Sequence, residues 1–286
     1  MPFFRHFTRV VGLAVAAAIV VGPIAWTLIE SFKSEEDLIS STPVWLFAPT
    51  LEPYRYLLVS GSSFLPGRSF VQLLLNSFVV AGSSSIAAVL LSLPLAFLIS
   101  RVRSNWFSRF STPLLYLSFA FRMVPQFSIA IPLLNVYRTL GLTDTLFGLI
   151  LLYSVLNLSI TLPVFSGAFS RISPEVNDAA LLDGCSQSTL FLRIAIGSIA
   201  ANIFSALPLA FLLSWNELPY ARILTRSDAL TAPVGVLMMI PPPKDFDAEV
   251  FQFMGSVAIF QILPAMILVL LLRRFVLRAW EDYIVD

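Results

Sequence analysis

A short polar stretch, residues 173–197, interrupts a chain that is otherwise strongly apolar. It carries two aspartates, two alanines and a glycine, and these residue types suit contact with another protein. The alanines leave the middle of the stretch without bulky side chains, so another surface could approach its backbone closely. A solvated loop with a capped turn accounts equally well for the pattern. The five residues are Asp178, Ala179, Ala180, Asp183 and Gly184.

The same stretch has the local signals of two helices. Ser173 followed by Pro174 is typical of an N-cap and a first helical position. Gly184 ends this short helix, because glycine accepts the left-handed conformation of a C-terminal cap. A second helix is predicted to begin at Ser186 or Ser188 and to run on into the next apolar segment.

The residue types do not favour enzymatic or metal chemistry. A phosphate-binding loop needs G-x-x-x-x-G-K-[ST], and neither of the two lysines, Lys33 and Lys244, lies in such a frame. The single Cys185 excludes an intramolecular disulfide and an all-cysteine metal site. The single His6 lies beside arginines near the N-terminus, so no apolar segment holds a histidine base. We therefore expect no catalytic activity and no metal site in this chain.

The composition places the chain in a membrane. Of its 286 residues, 57% are hydrophobic and 12% are charged, whereas an ordinary soluble domain has about 25% charged residues. A net charge of +1 offers no field that would attract nucleic acid. Since a helix needs about 20 apolar residues to cross a bilayer, we predict six spans. They are 10–29, 78–99, 110–137, 145–170, 194–216 and 250–272.

Lysine and arginine counts predict the orientation of these spans. Residues 1–9, 101–109, 171–193 and 273–286 hold 10 of them in 55 positions, against 7 in 81 for the alternate connections. The denser set is cytoplasmic by the positive-inside rule. The predicted parts are a cytoplasmic N-terminus (1–9), a first transmembrane helix (10–29), an extracytoplasmic segment (30–70), a five-helix core (71–272) with a cytoplasmic loop (171–193), and a cytoplasmic tail (273–286).

Polar groups in or beside the spans are candidates for lining a solute path. A charge in hydrocarbon is costly and normally faces a bundle interior or water. Arg122 lies near the middle of the third span, where it either lines a path or pairs with a carboxylate of a partner subunit. Asn216 and Glu217, at the outer end of the fifth span, line a cavity mouth or anchor the interface beside Trp215. Asn157 is expected to hydrogen-bond between helices.

The polar stretch resembles the EAA loop of binding-protein-dependent ABC importer permeases, whose pattern is E-A-A-x-x-D-G-A followed by F, I and P. The segment D-A-A-L-L-D-G at 178–184 has the same spacing from its first acid to its glycine. Phe191 and Ile194 follow in the expected order. The departures are Asp178 in place of Glu, Cys185 in place of Ala and Gly197 in place of Pro.

Further stretches resemble the maltose-type sugar branch of this family, and together they cover nearly the whole chain. The tail at 273–286 departs from the Gly-rich ending of that branch, so no contact of the tail with an ATPase is carried over. The similar stretches are S-F-K at 31–33, P-T-L-E-P-Y at 49–54, N-S at 76–77, M-V-P at 123–125, G-L-T-D-T at 141–145 and W-N-E at 215–217.

The resemblance implies an all-α, polytopic protein with the type I ABC importer permease fold, six transmembrane helices and both termini in the cytoplasm of a bacterial or archaeal cell. It implies that the EAA-like loop is a coupling helix seated on a cytoplasmic ATPase dimer. That dimer would bind ATP and Mg²⁺, while this chain would hold no cofactor. A second homologous permease and an extracytoplasmic binding protein for a sugar or sugar-like solute would complete the assembly.

The resemblance also assigns roles within the loop. Asp178 and Asp183 would offer charge to the ATPase or brace the loop, Ala179 and Ala180 would permit close contact, and Gly184 would make the turn.

The outer connection before the last span offers a contact for the binding protein. Residues 236–249 place three consecutive prolines, a stiff element, before an acidic tip. We predict a contact there, although a plain connecting loop fits as well. The contact residues would be Pro242, Lys244, Asp245 and Asp247.

The main alternative is an autonomous secondary transporter or channel. That class predicts acids near the midplane or an inverted internal repeat, and the sequence shows neither clearly. A scaffold subunit of a membrane complex without transport is a second alternative.

Overall fold

The structure is a computed structural model, and it describes residues 2–60, 69–101, 105–240 and 248–284. Every regular element in these residues is helical, as the sequence predicts. Two of the elements, Tyr56–Ser60 and Leu190–Ala195, are π-helical. The α-helices are α1 (Pro2–Glu30), α2 (Glu35–Ile39), α3 (Glu52–Arg55), α4 (Phe70–Arg101), α5 (Asn105–Met123), α6 (Gln126–Thr139), α7 (Leu146–Ser170), α8 (Pro174–Leu182), α9 (Gln187–Thr189), α10 (Ile196–Ser198), α11 (Ala200–Trp215), α12 (Pro219–Leu224), α13 (Ala232–Met239) and α14 (Ala248–Ile284).

The chain divides into two compact units. The first unit combines Met1–Gln72 with Gly235–Pro264, and the second combines Leu73–Val234 with Ala265–Asp286. The EAA-like loop and the predicted path residues all belong to the second unit.

In the first unit, side-chain contacts fix the residues that directly follow α1. The hydroxyl of Ser34 accepts a hydrogen bond from the amide of Asp37 and so caps α2. The Lys33 side chain is buried, its Nζ lies 2.8 Å from a Glu30 carboxylate oxygen, and it lies over the ring of Trp26. Burial is tolerated because this lysine is both ion-paired and placed on an aromatic face.

In the second unit, α7 packs against α5 and α11 while α12 packs against α6. The interior of this bundle is joined by hydrogen bonds as well as by apolar packing. Asn157 Nδ2 donates to Ser214 Oγ at 2.8 Å, and Ser84 donates to the same hydroxyl at 3.0 Å. The expectation that Asn157 hydrogen-bonds between helices is confirmed.

Four described helical stretches are long and apolar enough to cross a membrane, and one bent helix pair passes the same test. The expected count of six spans fits these helices but stays a prediction. The four stretches are Thr8–Glu30, Phe70–Arg101, Leu146–Ser170 and Phe253–Leu272, and the bent pair is Gln187–Ser198 with Ala200–Trp215.

The third predicted span is divided between two helices. The first, α5, ends at Met123, and α6 begins at Gln126 after an N-cap at Pro125. Proline has no N–H to donate and disfavours the helical conformation in the residue before it. The M-V-P stretch is therefore the point at which the helix is interrupted.

The fifth predicted span is also interrupted. A helix begins after the N-cap Ser186, as predicted, but it does not run straight into α11. The two halves of the bent pair meet at an angle of 73° around Ile199. The π-helical segment Leu190–Ala195 lies just before this bend, and π-type turns are a recognised cause of sharp bends in helices.

Candidate functional site

A cavity of about 410 Å³ lies among α5, α6, α7, α11 and α12. It brings together all three residues that the sequence placed on a solute path, although Arg122 is about 95 positions from the other two. Apolar side chains form most of the remaining wall. The lining residues are Arg122, Gln126, Leu156, Ile160, Leu209, Leu212, Leu213, Asn216, Glu217, Pro219 and Tyr220.

Arg122 lies in the last turn of α5 because the break at Pro125 ends that helix. A cation is favoured there, since the carbonyl end of a helix carries partial negative charge. Its Nε donates to Ser159 Oγ at 2.7 Å, and that hydroxyl in turn donates to the carbonyl of Leu156. The side chain is exposed to the cavity that it lines.

Glu217 is buried and caps the start of α12. Its Oε1 accepts from the amide of Tyr220 at 3.0 Å, and its Oε2 accepts from the amide of Ala221 at 3.2 Å and from the Tyr153 hydroxyl. Only 8% of the residue is exposed. Both carboxylate oxygens are therefore satisfied inside the protein, which makes Glu217 a structural member of the cavity wall.

Sequence reasoning did not identify Ser159, Tyr153 or Tyr220. Ser159 and Tyr153 lie in an apolar segment and have no special spacing from Arg122 or Glu217. The partner of Ser159 comes from another helix, and the partner of Tyr153 is Glu217 in the turn before α12. A usable signal was present only for Tyr220, which is three residues beyond the acid of the W-N-E stretch and whose amide donates to it.

The EAA-like loop has the predicted cap geometry. Gly184 has φ +81°, its amide donates to the carbonyl of Leu181, and the amide of Cys185 donates to the carbonyl of Ala180. This pair of bonds is the Schellman motif. Ser173 occupies the N-cap position of α8, but its side chain makes no capping hydrogen bond.

The side chains of α8 divide into a buried and an exposed set. Ala180 is 8% exposed and packs within this chain, so its small size serves internal packing. Asp178, Ala179 and Asp183 are exposed, and their role as docking residues stays a prediction. Leu182 is 88% exposed, and the sequence analysis did not single it out.

A hydrogen-bonded contact joins α8 of the EAA-like loop to the last residue of α4. With its amide oxygen facing Arg101, Asn177 accepts from Nη1 at 2.8 Å and from Nε at 3.2 Å. Both residues line a cavity of about 260 Å³ that also includes Asp178. The position of α8 is therefore tied to a helix long enough to span the membrane.

The G-L-T-D-T stretch joins α6 to α7. Gly141, at φ +67°, closes α6, and Thr145 Oγ1 accepts from the amide of Gly148 and caps α7. Asp144 lies between them at φ +58°.

Asp144 also holds the loop that follows α12. Its carboxylate accepts from the amides of Arg226, Ser227, Asp228 and Ala229 and from the Ser227 hydroxyl. Burial raises the pKa of the Asp144 carboxyl, but these hydrogen bonds outweigh it and hold that pKa well below its ordinary value.

The N-S stretch supports the same loop from α4. Asn76 Nδ2 donates to the carbonyls of Asp228 and Leu230, and Ser77 Oγ accepts from the amide of Ala232. The stretches at 76–77 and 141–145 thus meet at one loop.

The predicted binding-protein contact lies outside the described residues. Its members are Pro242, Lys244, Asp245 and Asp247, and it stays a prediction. Within the part of the chain that the structure describes, no cluster of His, Cys, Asp and Glu has the arrangement of a metal site.

Residues 88–282 match the family described as binding-protein-dependent transport system inner membrane component. The match covers more than half of the chain and includes the EAA-like loop, the Arg122 cavity and the Asp144 loop. The chain belongs to this family. It is therefore an inner membrane component of a binding-protein-dependent transport system, and the resemblance inferred from the EAA-like loop is confirmed.

Two curated relatives show the breadth of this similarity. The sulfoquinovosyl glycerol transport system permease protein SmoH of Agrobacterium fabrum is 30% identical over 216 residues, which cover 75% of this chain and 72% of SmoH. The trehalose/maltose transport system permease protein MalG of Thermococcus litoralis is 25% identical over 274 residues, which cover 95% of this chain and 94% of MalG.

A bacterial ABC transporter involved in the import of the acidic polysaccharide alginate has a chain with the same fold. It matches with a TM-score of 0.72 at 17% identity, and the match covers 95% of this chain and 96% of that one. A second structure of a bacterial alginate ABC transporter, in complex with alginate pentasaccharide-bound periplasmic protein, matches with a TM-score of 0.64 at 15% identity. The type I importer permease fold expected from the sequence is thereby supported.

Proposed function

We propose that this inner membrane component forms half of the path for a sugar or sugar-like solute, with the cavity beside Arg122, Asn216 and Glu217 as part of that path. The curated relatives are permeases named for trehalose, maltose and sulfoquinovosyl glycerol, which favours a carbohydrate. The cavity fits such a use because charged and amide groups are concentrated in an otherwise apolar wall.

Energy for import reaches the path through α8. Asp178, Ala179, Leu182 and Asp183 form an exposed docking surface on a short, capped helix, and this is the observation that carries the proposal. This surface binds a cytoplasmic ATPase dimer, and that dimer binds ATP and Mg²⁺. Hydrolysis of ATP therefore takes place in the partner and not in this chain. Movement of α8 is passed to α4 through the contact between Asn177 and Arg101.

Two further partners complete the importer. A second homologous permease supplies the other half of the path, because one six-span chain supplies one half of it. An extracytoplasmic binding protein delivers the solute, and the outer loop with Pro242, Lys244, Asp245 and Asp247 is the contact we propose for it.

Co-purification tests this proposal. The chain is tagged at its C-terminus, purified in mild detergent from its own host and analysed for bound proteins, in parallel with Asp183→Arg. Glu36→Arg is the matched control, since it makes the same charge reversal at an exposed acid on α2, in the segment predicted to be extracytoplasmic.

We expect a P-loop ATPase and a second permease to co-purify with the unchanged chain and with Glu36→Arg, and the ATPase to be lost from Asp183→Arg. If the chain is purified alone and Asp183→Arg changes nothing, the docking role of α8 is wrong and an autonomous transporter becomes the better interpretation.

A further inference from the structure

The cavity wall includes the guanidinium of Arg122, whose terminal nitrogens have no hydrogen-bond partner among the residues that the structure describes. Arg122 uses Nε to bind Ser159, and neither terminal nitrogen hydrogen-bonds to a residue in the described ranges. Among those same residues, no carboxylate lies within ion-pair distance of the guanidinium. A guanidinium carries five N–H donors, so most of its hydrogen-bonding capacity remains available to a ligand.

Glu217 does not occupy these donors. It is close enough to interact electrostatically with Arg122, but its two oxygens are taken by Tyr153 and by the amides of Tyr220 and Ala221. The carboxylate is buried, whereas the arginine side chain is exposed. The exposed charge at the wall of the cavity is therefore that of Arg122, while the buried carboxylate of Glu217 lies near it.

The wall of the cavity also includes a tyrosine. Tyr220 lines the cavity, and its buried hydroxyl has no hydrogen-bond partner among the described residues. Buried polar groups are satisfied in the large majority of cases. The Tyr220 hydroxyl is itself fully buried, so a solute in the cavity does not reach it, and Arg122 is the donor that such a solute meets.

We propose that this cavity takes a solute with an anionic group, such as a carboxylate, a sulfonate or a phosphate, and that Arg122 determines this specificity. A planar guanidinium can form paired hydrogen bonds with such a group. The apolar wall formed by Leu156, Ile160 and Leu209 weakens the screening of that interaction by water. This inference rests on the proposed function, because it names the substrate class of the path described there.

Thiol modification measures the charge preference of the cavity without knowledge of the solute. Ile160 lines the cavity next to Ser159, and Cys185 is the single cysteine of the chain. Ile160→Cys is introduced together with Cys185→Ser into the tagged chain, and the assembled complex is purified from the host. It is reacted with sulfonatoethyl methanethiosulfonate, an anion, and with the trimethylammonium analogue, a cation. Each rate is divided by the rate with 2-mercaptoethanol, which removes the intrinsic difference between the reagents.

We expect the anionic reagent to react at least about tenfold faster than the cationic one, which corresponds to about 1.4 kcal/mol. The preference should disappear in Arg122→Gln and persist in Arg122→Lys, which keeps the charge. Size-exclusion chromatography with the partner proteins establishes that each variant is assembled.

Two results would overturn the inference. One of them leaves the proposed solute path standing, and the other rules it out as well. If both reagents react but the anion has no preference when Arg122 is present, Glu217 or a partner subunit neutralises the arginine. In that case the path stands and the anionic substrate does not. If neither reagent reacts in any variant, the cavity is not open to water and its assignment to the path fails as well.

Discussion

Replacement of Asp144 tests whether one carboxylate holds the loop after α12. The carboxylate lies 2.9 Å from the amide of Arg226, 3.0 Å from that of Ser227, 3.1 Å from that of Asp228 and 3.2 Å from that of Ala229. Hydrogen bonds to a charged acceptor contribute about 1.5–3 kcal/mol each. Because four amides share two partly solvated oxygens, we expect about 2–3 kcal/mol for the whole set rather than the sum.

Because Asp144 has a left-handed backbone conformation, three substitutions at this position should differ in how much they destabilise the loop. Asn retains one acceptor oxygen and is among the residues that visit the left-handed region, so Asp144→Asn should cost least. Asp144→Gly loses every side-chain bond without strain. Asp144→Ala loses the same bonds and adds about 1 kcal/mol, because alanine is strained at φ +58°. The expected order of destabilisation is therefore Asn, then Gly, then Ala.

Hydrogen exchange of the purified complex measures the effect directly. Amides 226–229 should exchange about 30-fold faster in Asp144→Gly, since about 2 kcal/mol of local stability is lost. Asp228→Asn is the matched control, because it removes a carboxylate from the same loop without touching these bonds. Unchanged protection in Asp144→Ala, or equal loss in Asp228→Asn, would refute the argument.

The low pKa of Asp144 sets the pH range of this effect. A carboxyl whose pKa is lower in the folded protein stabilises fully above its ordinary value, which is about 3.9 for aspartate. The contribution is lost as the pH falls below that value and through the lowered pKa of the folded state. The difference in thermal stability between the unchanged protein and Asp144→Asn should therefore be constant from pH 5 to pH 8 and should shrink only under acid conditions.

Two further substitutions have opposite expected effects on stability and assembly. Gly148→Ala should cost at least about 2 kcal/mol in thermal unfolding, because its Cβ would meet the backbone oxygen of Leu142, whereas Gly167→Ala on the same helix meets open space and should cost nothing. A small loss for Gly148→Ala would show that the loop before α7 yields. Leu182→Asp should change stability by less than about 0.5 kcal/mol, since this side chain is 88% exposed, but should release the ATPase on co-purification. Retention of the ATPase would remove Leu182 from the docking surface.

Several of the residues that carry the family resemblance stabilise the structure rather than bind a solute. Gly141 and Thr145 end one helix and begin the next, while Asp144 and Asn76 hold one loop from two sides. In the W-N-E stretch, Glu217 caps α12. These residues build the frame in which Arg122 and the exposed face of α8 are placed.

Local pattern was sufficient for much of this protein. The apolar windows indicated a helical membrane protein, because the length and polarity of a span are properties of contiguous residues. The turn at Gly184 was also predicted correctly, and of the two predicted helix starts, Ser186 and Ser188, the structure has the first as the N-cap. Both signals are local, since a cap depends on the few residues around it. The family was readable from the spacing in the EAA-like loop.

Tertiary structure decided what the isolated patterns left open. The bend at Ile199 and the burial of Ala180 against exposure of Ala179 depend on which neighbouring elements pack there. The hydrogen bonds of Arg122 depend on Ser159, which is 37 positions away in the sequence. They also depend on Glu217, whose oxygens already accept hydrogen bonds from α7 and α12. The sign of a side-chain charge and the length of an apolar segment can be read from contiguous residues. The partner of a charged side chain is set by contacts between distant segments, and these contacts exist only once the helices have packed.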